Sequence, residues 1–183
     1  MPKVLIPLAQ GCEELEAVTL IDILRRAKIT VVVAGLDDKP VEASRGTMLL
    51  PDTTLDDALE EEFDMVVLPG GGPGTEVLAK DNRIAALIKK MADAGKFVAA
   101  ICAAPKVLAQ AGLLNGKRAT SYPGTLDNKT YPDIQLSDEA IVDEGLIITS
   151  RGPGTALDFA LALVEKLTNA ETRKTVEDGL MRG

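Results

Sequence analysis

The chain has 183 residues, 46% of them hydrophobic, and its 28 Asp and Glu against 20 Lys and Arg give a net charge of -8. That is enough for one folded domain over residues 1–183, and it excludes a nucleic-acid partner, because the charge repels phosphate and no basic stripe with interleaved aromatics exists. Two cysteines and no histidine exclude a disulfide framework, Ser-His-Asp or Cys-His catalysis, histidine-containing zinc sites and a four-thiolate zinc site, so neither metal nor cofactor is expected.

The N-terminus, MPKVLIPLAQG, lacks the apolar stretch of a signal peptide, and no uncharged run approaches the roughly 20 residues of a membrane helix. No membrane is expected, and the reducing cytoplasm is the expected compartment.

In chain order, KVLIPL (Lys3 to Leu8) reads as a strand and Cys12 to Ala27 as a helix. On that helix Ala17, Leu20, Ile21, Ile23 and Leu24 define one apolar face, and Glu13 and Glu16 fall inside the same stripe. Glu13 sits in the first turn, where it reaches solvent and the helix dipole. Glu16 lies a turn deeper, so desolvation is expected to raise its pKa and keep it protonated, able to donate to or exchange a proton with a neighbour. The competing reading is an oblique helix that leaves Glu16 solvated.

ITVVVAG (Ile29 to Gly35) is the second strand, and VEASRGTMLLPDTTL after Pro40 reads as a small hairpin insert around Arg45 and Gly46. DMVVLPG (Asp64 to Gly70) is the third strand, and it runs into Gly71, Gly72 and Gly74. The run fits neither G-x-G-x-x-G, since Thr75 stands at the last glycine position, nor the Walker pattern, since no Lys-Ser/Thr follows. The better reading is bare backbone brought close to a ligand, with the Gly71 N–H available to an oxyanion; glycine used only for a tight turn is the alternative.

A helix from Asn82 to Ala94 precedes the strand Phe97 to Ile101, which ends on Cys102 and is followed by a helix from Ala103 to Ala111 with Pro105 in its first turn. This is a strand-to-helix elbow, the arrangement that pushes a nucleophile out at the carboxyl edge of a sheet. The unpaired N–H groups of a helix N-terminus favour an anion, so the thiol pKa is expected below about 8.5 without any histidine. A buried structural cysteine is the competing reading. The Ala103 N–H is expected to pair with that of Gly71 as an oxyanion hole.

Ser121 to Val142 reads as a loop-rich segment with Pro123 and Pro132, Leu146 to Ser150 as the last strand, and Thr155 to Leu167 and about Glu171 to Met181 as the final helices. Arg151, at that strand's end, either holds a carboxylate of substrate or makes a surface salt bridge. Cys12 either fills space or acts as a thiol resolving Cys102. Short apolar strands alternating with helical periodicity predict a doubly wound α/β sheet, parallel and covered on both faces, with its ligands at the strand ends.

The segments GCEELEAV, ASRGT, VVLPGGGPG, AAICAAP and TSRGPGTALDFAL together resemble the DJ-1/ThiJ/PfpI superfamily, within it the DJ-1 and YajL branch. The resemblance spans essentially the whole chain. It implies a flavodoxin-like sandwich and a homodimer, an elbow cysteine at Cys102, a protonated helix glutamate at Glu16, and oxyanion amides at Gly71 and Ala103. It also implies glutathione-independent glyoxalase or deglycase activity on a small 2-oxoaldehyde or a glycated amine or thiol; Tyr122, Gly72, Arg45 and Arg151 are the candidate substrate contacts. Sensing of oxidative stress through a cysteine sulfinic acid, and a chaperone role, are the alternatives it offers. Where many members carry a histidine after the elbow helix this chain has Tyr122, and where the peptidase branch has a histidine after the cysteine it has Ala103. No proteolytic triad is expected.

Overall fold

A computed structural model describes residues 1–182. The elements in order are β1 (Lys3–Leu8), α1 (Glu14–Arg26), β2 (Thr30–Gly35), β3 (Val41–Glu42), β4 (Met48–Leu49), β5 (Thr53–Thr54), α2 (Leu55–Ala58), β6 (Met65–Leu68), α3 (Gly72–Lys80), α4 (Asn82–Asp93), β7 (Phe97–Ile101), α5 (Pro105–Gln110), β8 (Arg118–Ala119), β9 (Gln135–Leu136), β10 (Ile141–Glu144), β11 (Ile147–Ser150), a 3-10 turn (Pro153–Thr155), α6 (Ala156–Leu167) and α7 (Ala170–Gly179).

Seven strands form one sheet in the order β10-β11-β7-β6-β1-β2-β5. Every neighbouring pair is parallel except β10 with β11. The doubly wound α/β expectation therefore holds, and its physical cause is visible strand by strand: β1, β6, β7 and β11 are buried almost throughout, as strands sandwiched between helices must be. Alternate residues serve opposite cores. Val4, Ile6, Val67, Ala99 and Ile101 face α1, α6 and α7, while Leu5, Val66, Leu68, Val98 and Ala100 face α2 to α5.

The chain leaves β1 toward β2 on one side and runs from β6 through β7 to β11 on the other, so the order reverses between β1 and β6. Open α/β sheets bind ligands in the crevice at such a reversal. β3 and β4 form the expected hairpin, with Val41 opposite Leu49. Its tip packs over the start of α1, where Ser44 N–H donates to Cys12 O at 2.8 Å.

Three elements depart from expectation. Residues Gly72 to Lys80 form a helix, although two glycines weigh against one by propensity. Packing overrides that cost, since Thr75 and Leu78 are buried and a methyl group on Gly74 would lie 2.7 Å from the Cys12 nitrogen. The segment ending at Val142 closes with β10, an edge strand paired antiparallel to β11 through Gly145 at φ +86°. The helix after Cys102 is only six residues long and begins at Pro105, with 102–104 in a turn. Among the described residues no helix is long and apolar enough to cross a membrane.

Candidate active site

Both chain segments at the sheet's reversal end in the crevice. Glu13 N–H donates to Gly70 O at 3.0 Å, which joins the start of α1 to the end of β6. Glu13 is the N-cap of α1, its carboxylate accepting from Leu15 N–H at 3.2 Å and from Ser44 Oγ at 3.1 Å. Three residues on, Glu16 is fully buried with Ala17, Leu20, Ile23 and Leu24, where the helical periodicity placed it. Its Oε2 accepts the Gly70 N–H at 2.7 Å. Its Oε1 has no hydrogen-bond partner. A buried carboxylate oxygen left without a donor is costly, so this carboxyl either holds a proton or shares one with its other neighbour.

That neighbour is Cys102. A methyl group on Gly70 would lie 2.6 Å from the Cys102 Cβ and 2.7 Å from Glu16 Oε2, so thiol and carboxyl flank a glycine that leaves no room between them. The elbow holds Cys102 at φ +64°, a left-handed conformation that costs a non-glycine residue on the order of 1–2 kcal/mol. Two bonds across the sheet edge impose it: Cys102 N–H donates to Ser150 O at 2.9 Å, and Cys102 O accepts from Tyr122 N–H at 2.7 Å. The thiol is 8% exposed. The backbone N–H groups of Gly71 and Ala103, the two amides named from the sequence, favour the thiolate.

Electrostatics correct one expectation and support another. Burial pushes the Glu16 carboxyl up to about 7, against the opposing hydrogen bonds from Cys102 and Gly70. The Cys102 thiol is pushed up, not down, to about 12, first by burial and then by the charge of Glu16, while the Gly71 and Ala103 amides pull the other way. A six-residue helix and two amides do not offset removal of the sulfur from water beside a carboxylate. Two anions cannot share this crevice, so between about 7 and 12 the pair holds one proton and one negative charge. The thiolate exists when Glu16 takes that proton.

Alkylation of Cys102 by iodoacetamide is therefore expected to rise with pH through a midpoint near 7, the step at which the pair loses its first proton. In Glu16→Gln that step vanishes and alkylation starts only as the buried thiol titrates by itself. A wild-type midpoint near the free-thiol value, unchanged in Glu16→Gln, would refute the coupling.

The remaining candidates sit at different distances from this centre. Tyr122 is bonded through its backbone to Cys102, with its ring half in solvent. Arg45 is exposed on the hairpin tip, its N–H donating to Glu14 Oε1 at 2.9 Å. Arg151 is engaged by Asp138 through Oδ1 at 2.9 Å and the carbonyl at 2.8 Å, the salt-bridge alternative. Gly72 is exposed at the first position of α3, and a side chain there would touch nothing within 4 Å. Gly71 is different, because at φ +90° an added methyl would lie 2.5 Å from Gly11 O.

Cys12 is buried, a free thiol pushed up to about 11 by burial and by Glu14, which favours space filling over resolving chemistry. Sequence reasoning counted Gly70 among the glycines that bring bare backbone to the strand ends but did not foresee that its N–H holds Glu16, and it did not single out Ser150, whose carbonyl holds the elbow. Among the described residues no group of His, Cys, Asp and Glu suits a metal ion.

A family model described as the DJ-1/PfpI family matches residues 2–166. The chain is 44% identical over 172 residues to Protein DJ-1 homolog B of Arabidopsis thaliana, covering 93% of its own length and 39% of that longer protein. It is 36% identical to Glutathione-independent glyoxalase DJR-1.2 of Caenorhabditis elegans, over 92% of this chain and 89% of the relative. The crystal structure of Drosophila melanogaster DJ-1beta is similar with a TM-score of 0.93 at 41% identity, over 100% of this chain and 98% of that one.

Proposed function

This chain belongs to the DJ-1/PfpI family, and from that premise we propose that it converts 2-oxoaldehydes such as methylglyoxal to 2-hydroxy acids without glutathione. The same nucleophile would act on early adducts of such aldehydes with amines or thiols, a deglycase reaction serving protection against carbonyl stress in a reducing cytoplasm. The observation that carries the reading is the fully buried Glu16 carboxyl, held by the Gly70 N–H, beside the elbow residue Cys102.

The sulfur attacks the aldehyde carbon as its proton passes to Glu16, and the carbonyl electrons move onto oxygen. The sulfur is then neutral, so the Gly71 and Ala103 amides turn to the new oxyanion. Glu16 returns the proton to that oxygen and is a carboxylate again. It next removes the hydrogen of the same carbon as a proton, leaving an enediolate; the hydroxyl proton passes to the adjacent oxygen and Glu16 delivers its proton to the adjacent carbon. The aldehyde carbon is now oxidised to a thioester and the ketone carbon reduced to an alcohol, with no external oxidant. Water cleaves the thioester, the hydroxy acid leaves and the thiol is restored. A pKa near the working pH suits Glu16 to both directions of transfer.

The test is lactate formed from methylglyoxal in the absence of any added thiol. Formation proportional to protein supports the reading. No lactate, together with selective addition of two oxygens to Cys102 by peroxide, would replace it with a redox sensor whose sulfinate is held by Glu16. We also propose a homodimer through the exposed Leu15 and Val18 of α1 and Met48 and Leu50 at the hairpin, apolar side chains that a second copy would cover. A solution mass near the 19.3 kDa of one chain would rule that out.

A further inference from the structure

Five aromatic residues serve this chain, three Phe and two Tyr with no Trp. Phe159 and Phe63 are buried, Phe97 is half-buried with Lys166 Nζ 5.7 Å from its ring centroid, and Tyr131 packs on the second core. Tyr122 alone stands exposed, at 52%. An aromatic ring half in water forfeits apolar burial that the other four obtain.

Its position is fixed from three sides. Tyr122 N–H donates to the Cys102 carbonyl at 2.7 Å, and Tyr122 O accepts from Thr125 N–H at 3.0 Å in the turn that follows. A methyl group on Gly152 would lie 3.4 Å from Tyr122 Cδ2, so one edge of the ring packs on the Gly-Pro-Gly turn. That turn follows Ser150, whose carbonyl takes the Cys102 N–H. The ring thus stands between the two backbone segments that clamp the nucleophile, packed along one edge and open over the rest.

We infer that Tyr122 is a specificity-determining residue: its open ring is a stacking platform that makes the Cys102 site prefer reactants bearing a flat aromatic group over methyl-sized ones. This deepens the reading of Cys102 as nucleophile, on which it rests, and assigns aryl-substituted 2-oxoaldehydes as the favoured substrate class. A methyl group covers little of the ring. An aryl group completes its burial in an offset or edge-on pair, a contact that typically changes rates or affinities by about three- to tenfold.

Cys102 alkylation tests this without turnover. Iodoacetanilide and iodoacetamide react alike: the sulfur bonds to the methylene carbon, iodide leaves with its electron pair, and the thiol proton passes to Glu16. They differ only by a phenyl ring. The ratio of their second-order rates at Cys102, read by intact mass and divided by the ratio for free N-acetylcysteine, is expected to be about three to ten. Tyr122→Ala is expected to bring it to about one, while Tyr122→Phe keeps the preference. A wild-type ratio equal to that of free cysteine, or a preference that survives in Tyr122→Ala, would overturn the inference. Lactate formation decides the glyoxalase reading separately, so either can fail while the other stands.

Discussion

Cys102→Ala is expected to lower lactate formation from methylglyoxal to the uncatalysed rate, and Glu16→Gln to lower kcat by about 10²- to 10⁴-fold, the usual contribution of a positioned acid or base. The alanine variant removes the only sulfur in the crevice that the Gly71 and Ala103 amides address. The glutamine variant keeps an oxygen for the Gly70 N–H but has no proton to exchange. Its effect on stability has the opposite sign. Glu16 has a folded pKa near 7 against an ordinary 4.5, so the folded state binds the extra proton between those values and stability falls as pH rises through that window. Above pH 7 the burial of this carboxylate costs up to about 3 kcal/mol, at 1.36 kcal/mol per unit. Glu16→Gln is therefore expected to be more stable than wild type at pH 8 by that order, and by less than about 1 kcal/mol at pH 5. Urea midpoints at the two pH values check the sign. A variant that is less stable at pH 8 and still produces lactate at the wild-type rate would remove Glu16 from the mechanism.

Gly70→Ala is expected to separate the acid from the nucleophile. Its new methyl group would lie 2.6 Å from the Cys102 Cβ, 2.7 Å from Glu16 Oε2 and 2.9 Å from the Ile101 carbonyl, closer than carbon approaches any of these. The neighbours are a buried carboxyl and main chain, so relief requires backbone or side-chain displacement at a cost of about 1–3 kcal/mol. Misplacing reacting groups by about an ångström lowers rates by up to about 10²-fold, and a loss of at least tenfold in lactate formation is expected here. Gly72→Ala, two residues on, is the control, since its methyl would meet nothing within 4 Å and the position is already helical. It should be neutral in denaturant midpoint and in Cys102 alkylation. Equal behaviour of the two variants would mean that the glycines serve the turn alone.

Local periodicity is enough to place five of the six strands of four or more residues and the stripe of α1, because burial on both faces demands apolar runs and a helix presents every third or fourth residue to one side. By that arithmetic Glu16 lands among Ala17, Leu20 and Leu24, where the structure buries it. Cys102 is legible in the same way, as the first residue after a run that ends before a proline. α3 is not, since its two glycines speak for a loop, and only the approach of Gly74 to the Cys12 backbone explains one of them. The thiol's titration is not legible either. A sequence shows an elbow and its amides, but the pKa is set by how much water is excluded and by which charge is brought alongside. The Gly70 amide that holds Glu16 comes from 54 residues away, and Ser150 clamps the elbow from the neighbouring strand. The sequence by itself determined the sheet, the face that carries Glu16 and the position of Cys102 at the elbow, all of which follow from spacing along the chain. Only the tertiary structure decided that burial pushes both thiol and carboxyl up, because desolvation and through-space charge depend on distances that spacing does not encode.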